Sequence, residues 1–127
     1  MDRVAVIAAS MTDFGQRDSW LRDLLAEAGS ACIDGGPVSP SEIEHLYVSN
    51  MAGGEFEGQG GIANLVAHDL SLLPAYTARI DQTSASGGAG VYAAWQSVAS
   101  GAADMTLLIG GEKMTHRTTG EATDVMA

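Results

Sequence analysis

Residues 83–90, which read Thr-Ser-Ala-Ser-Gly-Gly-Ala-Gly, place two serines and three glycines between an apolar segment and a predicted amphipathic helix. The first turn of a helix leaves backbone N–H groups unpaired at the positive end of the helix dipole, where they stabilise negative charge. A serine at this junction has two interpretations. Ser84 is either a nucleophile or the N-cap of the helix, a position that favours serine.

The three glycines of this segment need a physical reason. Gly87, Gly88 and Gly90 lie in the opening turns of the predicted helix, where each glycine costs roughly 0.5–1 kcal/mol relative to alanine. Close approach of another backbone or of a bulky ligand would compensate for that cost. Composition alone favours the N-cap interpretation, with glycines that permit close helix packing, and it leaves the nucleophile interpretation open.

The elements that must position this segment follow from the hydrophobic pattern. Short apolar runs predict four strands, at residues 4–9, 45–50, 76–81 and 105–109. Helical spacing predicts three helices between them: one capped by Ser19 and stopped at residues 35–37, one at 62–70 and one at 84–100. The order β-α-β-α-β-α-β is typical of an α/β fold with a largely parallel sheet.

Finer expectations accompany this outline. Ser41 and Glu44 have capping-box spacing within a single predicted helical turn. Residues 51–61 hold five glycines and are predicted to form a loop. Residues 115–127 are polar, so the chain is expected to end in mid-fold without a closing element. The helix after Ser84 is expected to pack into the core through an apolar face that contains Val91, Ala94, Trp95 and Val98, with Tyr92 beside them.

Charge and composition exclude several classes of partner. Six basic and sixteen acidic residues give a net charge of −10, which argues against nucleic-acid binding because phosphate contacts need basic patches. The same charge disfavours an anionic membrane surface. No apolar run approaches the ~20 residues of a membrane span, and the N-terminus lacks the pattern of a signal peptide. A cytoplasmic protein that binds neither nucleic acid nor membrane is predicted.

Cys32 is the sole cysteine, so the sequence offers neither an internal disulfide nor a cysteine-based zinc cluster. It lies on the apolar stripe of the first predicted helix. We expect it to be a small buried side chain and not a nucleophile.

Four segments carry a family resemblance. Residues 79–89, read Arg-Ile-Asp-Gln-Thr-Ser-Ala-Ser-Gly-Gly-Ala, resemble the nucleophile segment of the thiolase superfamily, in which a cysteine precedes Ala-Ser-Gly-Gly. Residues 50–54 and 59–63 resemble a loop and a helix of the archaeal and sterol-carrier-type thiolases. Residues 110–114, Gly-Gly-Glu-Lys-Met, resemble the family's Gly-x-Glu-Lys-Met segment. The matches occur in the family's order and span nearly all of the 127 residues.

The resemblance implies an acyltransferase of lipid metabolism, similar to acetyl-CoA C-acyltransferase. Residues 1–127 would be the N-terminal portion of a thiolase-like αβαβα layered fold, with the C-terminal half absent. The substrates would be acyl-CoA thioesters, with no metal and no bound cofactor because coenzyme A is itself a substrate. The resemblance also implies a homodimer, with the third strand and the helix after Ser84 near its interface. A zinc-ribbon/OB-fold companion subunit is a further expected partner.

Ser84 departs from the family pattern, since the aligned residue is a cysteine. A serine hydroxyl needs an adjacent general base, whereas a thiol with a pKa near 8.5 is easily poised as thiolate. Three explanations stay open: a variant nucleophile, a Cys→Ser change that disables acyl transfer, or a thiolase-like reaction such as retro-aldol cleavage that uses no residue here. A non-catalytic thiolase-like subunit or fragment is the alternative function.

The remaining site residues follow from the same resemblance. Gly87, Gly88, Glu112 and Met114 would form the loops beside the substrate and its oxyanion, with Glu112 anchoring its loop through backbone hydrogen bonds. The family's catalytic histidines lie in the C-terminal half. His45 and His68 are expected at the surface or the core edge, and His116 is a weak candidate for the base.

Overall fold

The computed structural model describes residues 3–127, which form a three-stranded sheet with helices on both faces. In chain order the elements are α1 (Leu21–Gly35), a 3₁₀ turn (Pro40–Glu42), β1 (His45–Ser49), α2 (Gly53–Glu57), α3 (Ile62–Asp69), β2 (Tyr76–Ile80), α4 (Ser86–Ala99), β3 (Thr106–Gly110) and α5 (Thr119–Met126). The strands pair in parallel in the order β2-β1-β3. The predicted α/β class with a parallel sheet is confirmed.

The main core lies between the sheet and the layer formed by α1 and α3. Leu46 and Val48 of β1 are completely buried on this face, and full burial of such a side chain contributes roughly 1.5–3 kcal/mol. Cys32 packs, partly buried, against the same cluster, as expected for a small apolar side chain. The cluster consists of Leu21, Leu25, Ile33, Ile43, Leu46, Val48, Ile62, Ala63, Val66, Ala67, Leu70, Leu72, Leu107 and Ile109.

Helix α4 covers the opposite face of the sheet through small residues. A Cβ atom added to Gly90 would lie 2.0 Å from Ser49 Oγ and 2.8 Å from Leu108 Cδ1, so the helix backbone sits directly on β1 and β3. Ser97, also buried on this face, pairs with His45 Nδ1 through its hydroxyl at 2.6 Å. Close contact of this kind requires a small-residue face, which is therefore the face that α4 turns towards the sheet.

The predicted apolar packing face of α4 is wrong. Val91 is 60% exposed, and Tyr92 and Trp95 are also exposed, with their rings tilted towards each other and ring centroids 5.8 Å apart. Ala94 and Val98 are half-buried. The prediction assumed that the apolar stripe would face the core, whereas the close approach at Gly90 selects the small-residue stripe.

The predicted strand at residues 4–9 is also wrong. These residues form neither strand nor helix, and Val6 is 90% exposed. The segment instead lies beside α1, where Ser10 Oγ donates to Ala28 O at 2.6 Å and Ala8 Cβ lies near Gly36. β1 pairs with β2 on one side and β3 on the other, so the central strand has no free edge, and the segment adds to neither outer strand.

Three local predictions need correction. Part of the predicted loop 51–61 forms α2, because Asn50 Oδ1 accepts Gly53 N–H at 2.8 Å and Phe56 is fully buried. The C-terminal residues form α5, which begins with a capping box between Thr118 and Glu121. The capping box of the 3₁₀ turn joins residues 39 and 42 and not residues 41 and 44.

Helices α1 and α3 are joined by a two-bond ion pair at the surface. Arg22 Nε and Nη2 each donate to the Asp69 carboxylate at 2.5 Å. These bonds lower the pKa of the Asp69 carboxyl from its ordinary value of 3.8, with a smaller contribution from His68. A carboxyl whose pKa is lowered on folding stabilises the folded state above that ordinary value and loses this contribution as the pH falls through the lowered one.

Within residues 3–127, none of the helices combines the length and the apolar character that crossing a bilayer requires.

The close packing of α4 against the sheet predicts that alanine substitutions at two glycines of this helix change stability in opposite directions. We expect Gly90→Ala to lower the free energy of unfolding by about 1–3 kcal/mol, because the new methyl group meets Ser49 and Leu108. Gly88→Ala is the matched control, since no atom lies within 4 Å of its added Cβ. It is expected to stabilise the protein by up to about 1 kcal/mol. Urea denaturation of the full-length variants measures both free energies of unfolding. Equal changes in the two variants would contradict the close packing of α4 at Gly90.

The Arg22–Asp69 pair predicts a pH-dependent effect. We expect Arg22→Gln to destabilise the protein at pH 7, and the difference from the unaltered protein to shrink as the pH falls below 3.8, because Asp69 then takes up a proton. Urea denaturation between pH 7 and pH 3 measures the difference. In an Asp69→Asn background the same arginine substitution is expected to have no pH-dependent effect; a persistent pH dependence there would assign it to other groups.

Candidate active site

The three parallel strands end together, and a cleft lies at this carboxyl edge of the sheet. Ser49 at the end of β1 is in register with Ile80 of β2 and Gly110 of β3. Ligands of open α/β sheets bind outside the carboxyl ends of the strands. The cleft has a volume of about 480 Å³. Four of the five predicted site residues line it: Ser84, Gly87, Glu112 and Met114.

Ser84 lies in the turn before α4 with its hydroxyl free. Its side chain is exposed and makes no hydrogen bond within residues 3–127. The N-cap of α4 is Ala85, which has no side-chain cap. The N-cap interpretation of Ser84 is therefore wrong, and the structure leaves this hydroxyl available to a ligand in the cleft.

Ser86 holds the turn that presents Ser84. Its buried Oγ accepts the Gln82 N–H at 2.9 Å and donates to Thr83 O at 2.7 Å. Thr83 has a φ of +48°, an uncommon left-handed conformation for a threonine. Asp81 Oδ1 supports it by accepting the Thr83 N–H at 3.0 Å. Residue type alone does not distinguish the two serines of Thr-Ser-Ala-Ser, so the structural role of Ser86 was not predicted from the sequence.

The start of α4 offers unpaired backbone donors next to Ser84. The amides of Gly87 and Gly88 have no acceptor among residues 3–127, as is usual in the first turn of a helix. An added Cβ at either glycine would meet no atom within 4 Å. Of the three glycines, Gly90 alone permits close packing of the helix, as the sequence predicted. Gly87 and Gly88 border open space.

Glu112 joins the ends of β1 and β3. Its Oε1 accepts from Asn50 Nδ2 at 2.8 Å, and its Oε2 accepts the backbone N–H groups of Met51 and Ala52 at 2.9 and 3.0 Å. Asn50 Nδ2 also donates to Gly111 O at 2.8 Å. The expected anchoring of a loop by Glu112 through backbone hydrogen bonds is present. The bond between Asn50 and Glu112 was not predicted from the sequence, in which Asn50 is only part of the segment 50–54.

Lys113 is turned away from its neighbour Glu112 and towards α1. Its ammonium donates to Ser19 O and lies 4.0 Å from Glu57 Oε1, whose side chain is only 3% exposed. Both carboxylate oxygens of Glu57 accept the Leu21 N–H at the start of α1, at 2.9 and 3.1 Å. Lys113 thus neutralises a buried carboxylate that caps a helix, and it makes no acid–base pair with Glu112.

None of the three histidines contacts Ser84 within residues 3–127. His45 lies at the amino end of β1 and pairs with Ser97, at the opposite edge of the sheet from the cleft. His68 is exposed on α3 beside Asp69. His116 Nε2 lies 3.1 Å from Phe56 O and is occupied by that contact. The described residues therefore bring no histidine base to the candidate nucleophile.

A larger open groove of about 890 Å³ runs beside α1 and α3. Its charged groups are already engaged: Arg22 pairs with Asp69, and Glu57 caps α1. It contains none of the predicted site residues. We therefore assign the candidate active site to the smaller cleft at the carboxyl edge of the sheet.

Comparison with known proteins decides the family of this chain. Residues 4–127 match the family described as Thiolase, N-terminal domain. The chain belongs to this family. This thiolase N-terminal domain is 38% identical, over 116 residues, to proteins named acetyl-CoA acetyltransferase from Methanocaldococcus jannaschii and Methanothermobacter thermautotrophicus. Each match covers 91% of the chain and 30% of the relative, so the chain spans about 30% of the length of these curated relatives.

The turn geometry of this thiolase N-terminal domain predicts opposite outcomes for its two serines. We expect Ser86→Ala to lower the free energy of unfolding by about 1–3 kcal/mol, because it leaves the Gln82 N–H without its partner. Ser84→Ala, in the same turn, is expected to change stability by no more than about 0.5 kcal/mol. Thermal or urea unfolding measures both. A large loss on Ser84→Ala would contradict the free hydroxyl described above.

Proposed function

We propose that this domain takes part in acyl transfer between coenzyme A thioesters, with Ser84 as the acceptor of the acyl group. The observation that carries the proposal is the free Ser84 hydroxyl in the cleft, directly before a helix whose Gly87 and Gly88 amides are unpaired. Membership of the thiolase family and the names of the archaeal relatives support this reaction class.

The proposed reaction has two transfers. Ser84 Oγ attacks the thioester carbonyl, loses its proton to a base and forms an ester, while the carbon–sulfur bond breaks and coenzyme A leaves as the thiol. A base then removes the α proton of a second acyl-CoA, and the resulting carbanion attacks the ester carbonyl. The carbon–oxygen bond to Ser84 breaks, Ser84 Oγ takes back a proton, and a 3-oxoacyl-CoA is released. Thiolysis is the reverse. No metal or bound cofactor takes part in this scheme.

The Gly87 and Gly88 amides are the proposed stabilisers of the developing oxyanion. Backbone donors fixed at a helix start need no reorganisation during the reaction, and removal of one such donor in other enzymes costs about 10²–10³ in kcat. Glu112 and Met114 border the same cleft. In this proposal they form the substrate-side loop, with Glu112 fixing the loop and Met114 contacting the acyl group.

The proposal requires a general base that the three histidines of residues 3–127 do not supply. A serine hydroxyl is a weak nucleophile without an adjacent base, and the histidines of the described chain lie elsewhere. The same observation favours the second candidate function, a non-catalytic thiolase-like subunit that acts by association. A serine in place of the family's cysteine also implies slower acylation than a thiol would give.

Assembly forms a further part of the proposal. We expect a homodimer that uses β2 and α4, because β2 is paired on one side only and the apolar side chains of α4 are on the surface. The exposed apolar residues of this surface are Tyr76, Val91, Tyr92 and Trp95. A zinc-ribbon/OB-fold companion subunit is proposed from the family resemblance alone. A cytoplasmic location is proposed from the cysteine usage of the sequence, in which Cys32 is the sole cysteine.

The proposed acceptor can be tested by mass spectrometry. Incubation of the full-length protein with acetyl-CoA is expected to add one acetyl group at Ser84. Ser84→Ala is expected to abolish this adduct, and Ser84→Cys is expected to form it faster because a thiolate is the better nucleophile.

Two outcomes would contradict this assignment. An acetyl adduct that persists in Ser84→Ala would move the acceptor to another residue. Absence of any adduct in both the unaltered protein and Ser84→Cys would favour the non-catalytic subunit. The folded fraction of each variant, measured by circular dichroism, serves as the control.

A further inference from the structure

The short loop after β1 is held almost entirely by side chains from other parts of the domain. Asn50 is buried, and its Oδ1 accepts the Gly53 N–H at 2.8 Å, while Glu112 takes the N–H groups of Met51 and Ala52. The carbonyl groups are bound as well. Arg79 Nε donates to Asn50 O at 3.0 Å, and Arg79 Nη2 donates to Met51 O at 2.6 Å.

These bonds fix both the backbone N–H and the backbone carbonyl of Met51. Its N–H is bound by Glu112 and its carbonyl by Arg79, so the backbone of this residue has no freedom to rotate without losing a charge-assisted hydrogen bond. Met51 lines the cleft that contains Ser84. The Glu112 and Asn50 side chains line the cleft too, yet their polar atoms are bound to the loop.

We propose that Asn50 and Glu112 are positioning residues that fix Met51 as an apolar wall of the cleft, against which the acyl group lies when it reaches Ser84. This inference rests on the proposed acyl transfer at Ser84 and names residues that determine its geometry. Met114 and Met126 line the same cleft. Thioether side chains suit this place because methionine is apolar and adapts its shape to a bound chain.

A carboxylate is required at position 112 because it accepts on both oxygens. In Glu112→Gln one oxygen becomes an NH₂ group, which then faces either the Asn50 amide or the backbone N–H groups of Met51 and Ala52. In either orientation two donors face each other, so either the Asn50 amide or the loop N–H groups lose their acceptor and these groups must shift. A displacement of about 1 Å in a positioning element can cost 10²-fold in rate.

Glu44 provides a matched control at the other end of the same strands. Its Oε2 accepts the Asp104 N–H at 2.6 Å, so this glutamate also joins the β1 side of the sheet to the chain before β3. It precedes β1 at the amino edge, away from the cleft. Glu44→Gln thus makes the same substitution at another carboxylate–backbone bond, replacing its charged acceptor by an amide oxygen, without touching Met51.

The experiment measures the rate of Ser84 acylation in the full-length protein at saturating acetyl-CoA, together with the acetyl-CoA concentration for half-maximal rate. We expect Glu112→Gln to slow acylation about 10- to 100-fold and Glu44→Gln to leave the rate unchanged under conditions where both are folded. Met51→Ala keeps the Asn50–Glu112 pair and removes the wall. It is expected to raise the half-maximal concentration and lower the rate, with little change in the unfolding midpoint.

The outcomes separate this inference from the proposed function. Acylation of the unaltered protein together with wild-type kinetics for Met51→Ala would overturn the positioning role and leave Ser84 as acceptor, even where Glu112→Gln does not fold. Equal slowing by Glu44→Gln and Glu112→Gln would assign the effect to stability and likewise overturn it. No acylation of the unaltered protein or of Ser84→Cys would contradict the proposed function itself, and the positioning role with it.

Discussion

The position of α4 depends on the absence of a side chain at Gly90. A methyl group there would lie 2.0 Å from Ser49 Oγ, so the helix could not rest on the end of β1. Because α4 rests at that point, its first turn lies beside the carboxyl edge of the sheet. Ser84 and Gly87, whose amide is unpaired, reach the cleft for this reason, and the unpaired amide of Gly88 follows in the same turn. The packing of one helix against one strand thus decides where the candidate chemistry lies.

The second feature of this edge is that side chains bind the backbone groups of the loop after β1. Parallel strands end with unpaired backbone groups, and burial of such groups without hydrogen bonds is costly. Glu112, Asn50 and Arg79 supply partners for the loop after β1. Asn50 and Glu112, which bind the backbone of this loop, also line the cleft. The stability of the loop and the geometry of the site therefore depend on the same side chains.

Local sequence patterns predicted the three paired strands, α1, α3 and α4 because each has an apolar period of its own. They failed for residues 4–9, whose apolar run resembles a buried strand but finds no free edge on β1. They also missed α5, although Thr118 and Glu121 have capping-box spacing. The predicted packing face of α4 was wrong. Hydrophobicity favours burial of Val91, whereas the short distance between α4 and the sheet leaves room only for a residue as small as Gly90.

The sequence by itself determined the family, the α/β class and the segment in which Ser84 stands, because these depend on local residue order. Only the tertiary structure decided that Ser84 is free of a capping role, that Ser86 holds the turn, and that the histidines lie away from the cleft. Such facts depend on hydrogen bonds between residues distant in sequence or on turn geometry that residue types do not specify. Contacts such as that between Asn50 and Glu112, 62 residues apart, arise when the strands align.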